Sequence, residues 1–552
     1  MFSNLNGCHR LLLIIVTMLG ACGDGSGTAT GSAPDPDPDP DLSIIAESPC
    51  NQPAETTQMR TSAKEMCVGD ILDFELSEAG DEVRIDFEEV EKEAEFALVT
   101  VNTNTAMPAQ GTVKLHHNEE ETEDLDIENL LRERESDIIK QDLPRASPEF
   151  RAGKETAAPV VIAEGDEKTF RVLSSLTSSR SYQEVSAMAT CVRDTVIVYT
   201  DKRVTDANLT HDEVIGLCEL YNAQAKSTQE IFGPASDVNG DRHLSVLLTP
   251  QVNQLGFLMN RIFTGFFSAS DLLSQSAGNP ASNEQEIVYL SVPDPDGTFG
   301  TNISKAFALS NFLPVVFPHE LQHAINFNYH VFLQKKEELT SVKDYLKKVE
   351  QPWLNEGLSH LAEDLAGQNQ ENYSRYALYL RDPSKFNIDS RGANLETRGA
   401  AYLLLRYLYE QSNDGDAFLK ALIGSNLTGI ANLEAAVGKS FNEIFLRWQT
   451  AMFLTNKNIT RDFQYTYRDR IKNETTGQWT GVCMKCDPED GRKINGSSGT
   501  ILTGVRYNSS NSSTMSINIP RLGSQFFRWL TNYSTMTNNS STSIRGSLIR
   551  IK

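Results

Sequence analysis

The residues with the most specific chemistry are His319, Glu320 and His323, in the run Phe317–Tyr329, FPHELQHAINFNY. Side chains four apart lie on one helical face about one turn from each other, so both imidazoles can reach a single cation. A catalytic zinc site usually has three protein ligands and keeps a fourth position for water. Glu320, next to the first histidine, is placed to touch that water rather than the metal. A third ligand must come from elsewhere, and Glu356 in Trp353–Leu365, WLNEGLSHLAEDL, is the candidate, 33 positions after His323. That separation lets a second helix fold back against the first. The plainer reading is an amphipathic helix with two surface histidines. The second segment weighs against it: Leu354, Leu358, Leu361 and Leu365 form a helical stripe, and Glu356 and Glu363 share another face. A carboxylate beside such a stripe is costly to bury unless it is paired or bound to a metal.

Together the two segments resemble the gluzincin metallopeptidases, which carry HExxH plus a distal Glu ligand. More narrowly, the chain resembles the hyicolysin-type secreted bacterial peptidases. The likeness extends upstream through IFGPASDVNGDRHLSVLLTPQVNQLG and SNEQEIVYL, and downstream through TRGAAYLLLRYLYEQ and AVGKSFNEIFLRWQTAMFL, covering about residues 185–460. It implies an α+β fold: a zincin-like catalytic domain over 168–460, with a small mixed or antiparallel sheet and a helical C-terminal lobe, flanked by β-rich accessory modules. It also implies one Zn²⁺ per chain, held by His319, His323 and Glu356, with Glu320 as general base for peptide hydrolysis. Gluzincins commonly add a Tyr, His or Arg donor for the oxyanion; Tyr402 is the choice here, with Tyr376 and His360 behind it.

Two departures from the family pattern stand out. Pro318 precedes the first zinc histidine, and proline is tolerated mainly in a first helical turn, so the helix is expected to start or kink there, with Pro314 as an earlier break. His360 stands where thermolysin-like sequences place an Asp that orients a zinc histidine, a task that Glu363 or Asp364 can take over. The metzincin spacing HExxHxxGxxH is not met, because Asn326 and Tyr329 hold its Gly and third-His places. His330, one place out of register, reads as an ordinary polar residue near the helix end. The aminopeptidase signature GxMEN is only superficially matched at Gly256–Asn260, which favours internal cleavage. No GxSxG competes.

The rest of the chain must position these groups. Its 552 residues suggest about three or four domains, and a formal charge of −24 argues against nucleic acid and against anionic lipid as partners. Residues 1–21 read as a lipoprotein-type export signal: Arg10, then LLLIIVTML, too short to span a membrane, then a lipobox-like Leu19-Gly20-Ala21-Cys22. Cys22 would be lipidated, placing a monomer on the bacterial cell envelope; a plain secretory signal is the alternative. Residues 22–42 read as an extended Pro/Asp spacer. Residues 43–115 are expected as a small β module, 116–167 as a charged helix (124–141) and linker, and 461–552 as a C-terminal β-rich module.

Six further cysteines in an exported chain favour disulfides, and of the fifteen pairings proximity suggests Cys50–Cys67, Cys191–Cys218 and Cys483–Cys486. Asp237-x-Asn239-x-Asp241 begins like a calcium loop but has Arg242 and Leu248 at the sixth and twelfth places, so it reads as a polar turn. EIVYLSVP (286–293) resembles the edge strand before a zinc helix, along which an extended peptide could pair. The overall expectation is a zinc endopeptidase acting on proteins or peptides. Its rivals are a non-catalytic surface lipoprotein serving as an adhesin or binding module, which Pro318 keeps open, and a zinc hydrolase for another bond.

Overall fold

The computed structural model describes residues 60–62, 66, 68–79, 82–86, 95–111, 161–175, 181–258, 262–333, 348–390, 394–460, 462–474, 477, 479–486, 502–509, 517–530 and 535–551. The expected signal, spacer and 124–141 helix, and Cys22, Cys50 and Cys67, lie outside these residues. Strands β1 (Arg60–Ser62), β2 (Ile71–Leu76), β3 (Glu82–Asp86), β4 (Glu95–Asn102) and β5 (Ala109–Gly111) come first. The next six are β6 (Glu167–Leu173), β7 (Tyr182–Val192), β8 (Val196–Asp201), β9 (Leu244–Leu248), β10 (Gly265–Phe267) and β11 (Ile287–Leu290). They make one mixed sheet in the order β10-β11-β9-β8-β7-β6. Strands β8, β9 and β11 are parallel, while β6, β7 and β10 are antiparallel to the neighbours they join.

Side chains alternate across a strand, yet runs such as VIVY and LSVLL are buried throughout because both faces are covered. Val196, Val198, Val246 and Val288 enter the main core. Ile197, Tyr199, Leu247 and Tyr289 enter a second cluster on the opposite face. The main-core face packs on helices α1 (His211–Phe232) and, after α2 (Pro250–Leu258), α3 (Leu313–Phe327). A capping box starts α1: Glu213 N donates to the Thr210 hydroxyl at 3.3 Å, and Thr210 N donates to the Glu213 carboxylate at 2.7 Å. Cys191 in β7 is bonded to Cys218 in α1, as sequence proximity suggests. Cys483 is also disulfide-bonded.

The expectation that residues 286–293 supply the sheet edge needs correcting. β11 lies inside the sheet, and β10 is the edge strand beside α3. Three residues are too few to show a strand period, so β10 leaves no sequence signal. The polar turn at 237–241 is borne out, with Asp241 N and Arg242 N donating to Asn239 Oδ1 and Asp237 Oδ1, each at 3.1 Å.

After α3 come α4 (Pro352–Leu365), α5 (Asn372–Arg381), α6 (Leu395–Gln411), α7 (Gly415–Ile423), α8 (Gly429–Val437) and α9 (Phe441–Leu454), the helical lobe that was expected. Helices α5 and α6 touch at Gly399: a Cβ there would lie 2.5 Å from Arg375 C and Tyr376 N. No helix among the described residues is long and apolar enough to cross a membrane.

The chain closes with β12 (Asn508–Ser509), β13 (Ile517–Ile519), β14 (Gly523–Leu530), β15 (Thr535–Thr537) and β16 (Ile544–Arg550). The segments expected as two separate β modules share their sheets: β12-β14-β4-β16-β2 form one, β1-β3-β15 another, and β5 pairs with β13. The cause lies in β4, EFALVTVN. Phe96 and Leu98 face one apolar cluster with Phe74, Phe527 and Leu548. Ala97, Val99 and Val101 face the main core, which also contains Met452 and Phe453 of α9. A strand apolar on both faces needs partners on both edges and cover above and below, and the chain's far end supplies them.

Candidate metal centre

The helix carrying the two histidines does not begin at Pro318. A π-helical turn, Ala308–Phe312, runs into α3 at Leu313, leaving Pro314 in the first turn and Pro318 inside the helix. An interior proline deprives the carbonyl four residues back of its N–H partner, here that of Pro314. The buried Gln224 of α1 replaces it, with Nε2 donating to Pro314 O at 2.8 Å. One turn away on α1, the Tyr221 hydroxyl donates to Leu313 O at 3.0 Å. The proline is thus accommodated by a neighbouring helix, and His319 and His323 keep their shared face, with ring centroids 4.9 Å apart.

Helix α4 folds back as the spacing implied. Leu354, Leu358 and Leu361 are buried in the main core, and Glu356 is brought to the histidines. Glu356 Oε2 is 3.7 Å from His319 Nε2, and Oε1 is 3.5 Å from His323 Nε2. The donor atoms of the three residues lie within 4.8 Å of one another in a buried setting. Ligands bonded at about 2.0–2.1 Å around a tetrahedral ion are about 3.3 Å apart, so two imidazoles and a carboxylate gathered this closely make a donor set that could hold a divalent cation.

Their supports are ordered in the same sense. His319 Nδ1 lies 2.7 Å from Glu363 Oε1, a contact that holds the ring with Nε2 towards Glu356. The Ser359 hydroxyl donates to Gln322 Oε1 at 2.7 Å and lies beside the His323 ring, 3.2 Å from Nδ1 and 3.3 Å from Nε2. Arg398 Nη1 stands 3.4 Å from Glu356 Oε2. The fully buried His360 shares Glu363 Oε1, with Nδ1 at 2.9 Å, and its ring is 4.8 Å from that of His319. Burial, followed by the nearby Arg375 guanidinium, holds the His360 imidazole well below its ordinary pKa. Burial also pushes the Glu363 carboxyl well up, with Arg375 opposing. Glu320 turns the other way: its Oε2 accepts from the backbone N–H of Phe267 in β10 at 2.9 Å.

Of the two candidates expected to orient a zinc histidine, Glu363 is the one in contact. Asp364 faces away and accepts from Tyr402 Oη at 2.9 Å, Arg406 Nη1 at 3.0 Å and Gly481 N at 2.9 Å. That corrects the role expected of Tyr402. Its hydroxyl is fully buried behind α4 and its proton is committed to Asp364, so it packs the lobe rather than facing a substrate. Tyr376 is likewise buried and donates to Cys483 O at 3.1 Å. His330, expected as an ordinary polar residue near the helix end, is buried there in the π-helical turn Asn328–Leu333, with Nε2 3.9 Å from Glu350 Oε2, and burial pushes its pKa down to about 4. Sequence reasoning missed Phe267, Gln224, Arg375 and Arg398. For the first no residue type could serve as a signal, since the group involved is a backbone amide.

The fold is thus a mixed α+β one, with a buried His/His/Glu cluster of the composition that holds a divalent metal. No family model matches the chain. Over 384 residues it is 23% identical to the neutral metalloprotease ShpI of Staphylococcus hyicus, an alignment covering 68% of this chain and 79% of that protein. At that distance the likeness supports a metalloprotease relationship, and the chemistry rests on the residues.

Proposed function

We propose that the protein is a zinc-dependent endopeptidase, with His319, His323 and Glu356 as metal ligands and Glu320 as general base. The observation that carries this is the approach of the Glu356 carboxylate to the two imidazoles, 3.7 Å from His319 Nε2 and 3.5 Å from His323 Nε2, with a second acidic side chain, Glu320, next in sequence to His319. When bound, zinc supplies a Lewis acid that makes water acidic near neutral pH. Glu320 takes the proton as water attacks the scissile carbonyl and returns it to the leaving amine. Glu363 holds the His319 ring with Nε2 towards Glu356, and Arg398 balances the charge of Glu356. The likeness to a neutral metalloprotease supports a peptide substrate. Export with lipidation at Cys22 completes the proposal and places a monomer at the cell envelope.

The binding-protein alternative drew its force from Pro318, and the Gln224 side chain removes that objection. The test is zinc content and chelator-sensitive cleavage of an unfolded protein such as casein, for the wild type and Glu320→Gln. One zinc in both, with cleavage only in the wild type, is expected; undiminished turnover by Glu320→Gln would sink the assigned base.

A further inference from the structure

We infer that the backbone N–H of Phe267 is the donor that positions Glu320, and that the three-residue strand β10 is the bracket that holds this donor in place. The inference rests on Glu320 being the base proposed above. A glutamate on a helix has three rotatable bonds, and as a base it needs one oxygen aimed at the reacting water while the rest of the side chain is still. Pinning Oε2 fixes the direction of Oε1. The 2.9 Å bond from Phe267 N does this with a donor that has no rotamers of its own, and with the strength of a hydrogen bond to an ionised acceptor.

The strand is braced to deliver that one amide. In an antiparallel pair, successive residues turn their N–H groups to opposite sides; the N–H of Phe267 faces Glu320 and so points away from β11. At Gly265 the strand presses so closely on its surroundings that a Cβ would meet Tyr289 O at 2.6 Å and Val316 Cγ1 of α3 at 2.9 Å. The Phe266 ring stacks on Tyr289 of β11, centroids 4.6 Å apart. The Phe267 ring joins an apolar cluster with Ala324 and Phe327, further along the helix that carries Glu320.

Four residues beyond Phe267, the buried Asp271 ties the strand's exit to β11. It accepts from the Tyr289 hydroxyl at 2.8 Å and from Asn283 N at 2.7 Å, and Asn283 Nδ2 reaches the same hydroxyl at 2.7 Å. The strand is thus fixed to the helix by a close backbone approach and a side chain, and to the sheet by a polar knot, on either side of the amide in question. Phe267 and Tyr289 are positioning residues that act through Glu320.

The test replaces Phe267 by the α-hydroxy acid phenyllactate through nonsense suppression in the full chain, which keeps the ring and removes only the N–H. Because small misplacements of a catalytic group are costly, kcat should fall about tenfold or more while KM stays within about twofold. Zinc affinity measured by chelator competition, and the visible spectrum of the cobalt-substituted protein, should not change. Tyr289→Phe, which loosens the knot, should give a smaller fall with the same split. A kcat within about twofold of wild type for the ester overturns the inference. So does a loss of zinc affinity in step with kcat, because the amide would then support the metal site as a whole. Glu320→Gln with full turnover would instead remove the base assignment itself, a result the Phe267 ester cannot mimic.

Discussion

Pro318 sits one residue before His319, inside a helix, and Gln224 Nε2 takes the place of the N–H it lacks. Gln224→Met keeps most of the side chain's volume but leaves Pro314 O buried without that donor. A buried carbonyl deprived of its partner costs about 1–3 kcal/mol. Against this stands Gln224 Oε1, itself buried with no hydrogen-bond partner, whose removal recovers part of the loss, so a net destabilisation of about 1–2 kcal/mol is expected. Pro318→Ala supplies an N–H at the right place for the same carbonyl. In the Gln224→Met background it should therefore cancel most of the loss, a coupling of about 1 kcal/mol or more between two side chains that act on one oxygen. A chain of this size need not unfold in one step, so the assay is native-state hydrogen exchange, read on peptides spanning residues 313–327 with zinc saturating. Opening of α3 should rise about 5- to 30-fold in Gln224→Met, as 1–2 kcal/mol implies, and return close to the starting level in the double variant. Strict additivity would refute the account of how this helix tolerates its proline.

Glu356→Ala should lose zinc by elemental analysis with the fold retained by circular dichroism; full occupancy would put the third ligand elsewhere. Gly399→Ala should destabilise the helical lobe by about 1–3 kcal/mol in denaturant titration, because a Cβ 2.5 Å from the Arg375 and Tyr376 backbones forces α5 and α6 apart. Glu286 is a buried carboxyl that accepts from Val238 N at 2.9 Å, and burial raises its pKa from 4.5 to about 7. A folded pKa above the unfolded value means that the folded state binds the proton more tightly, so this contribution is complete below pH 4.5 and is lost as pH rises to about 7. Glu286→Gln should accordingly gain up to roughly 3 kcal/mol over the wild type at pH 8 and little at pH 4.5; equal differences at both values would show that the carboxyl is not held up by burial.

How much of this could be read beforehand follows from the range over which each signal acts. His319 and His323 are one helical turn apart, and Glu356 lies in a segment whose leucine stripe declares a helix, so the gathering of these three residues and the helix pairing were legible from local period and residue type. Cys191–Cys218 was legible from proximity. The supports were not. Gln224 is brought to Pro314 O by the packing of α1 on α3, about ninety positions along the chain, and glutamine on an amphipathic helix carries no mark of its partner. Tyr402 was misjudged for the converse reason: helical spacing near the site says nothing about which side of α4 it occupies, and Asp364 claims it.

The chain ends show the same limit at larger scale. β4 reads as a strand on its own, but its neighbours β14 and β16 lie more than four hundred positions away. Register with a distant strand leaves no local trace, since the only local sign is that β4 is apolar on both faces and therefore needs neighbours from somewhere. Once those are supplied, the segment before the β6–β11 sheet is hard to regard as detachable. Thr100 and Asn102 donate to Gln525 O and Ile519 O, at 3.1 and 3.3 Å, and the inner face of β4 lies in the same core as α9. Taking residues 60–111 away would leave β14 and β16 without their common partner and uncover apolar surface on the helical lobe. An unmade central strand costs both its ladder hydrogen bonds and the burial on two faces. The folded unit that carries the candidate metal centre therefore includes both ends of the described chain, and the N-terminal strands are built into it rather than laid against it.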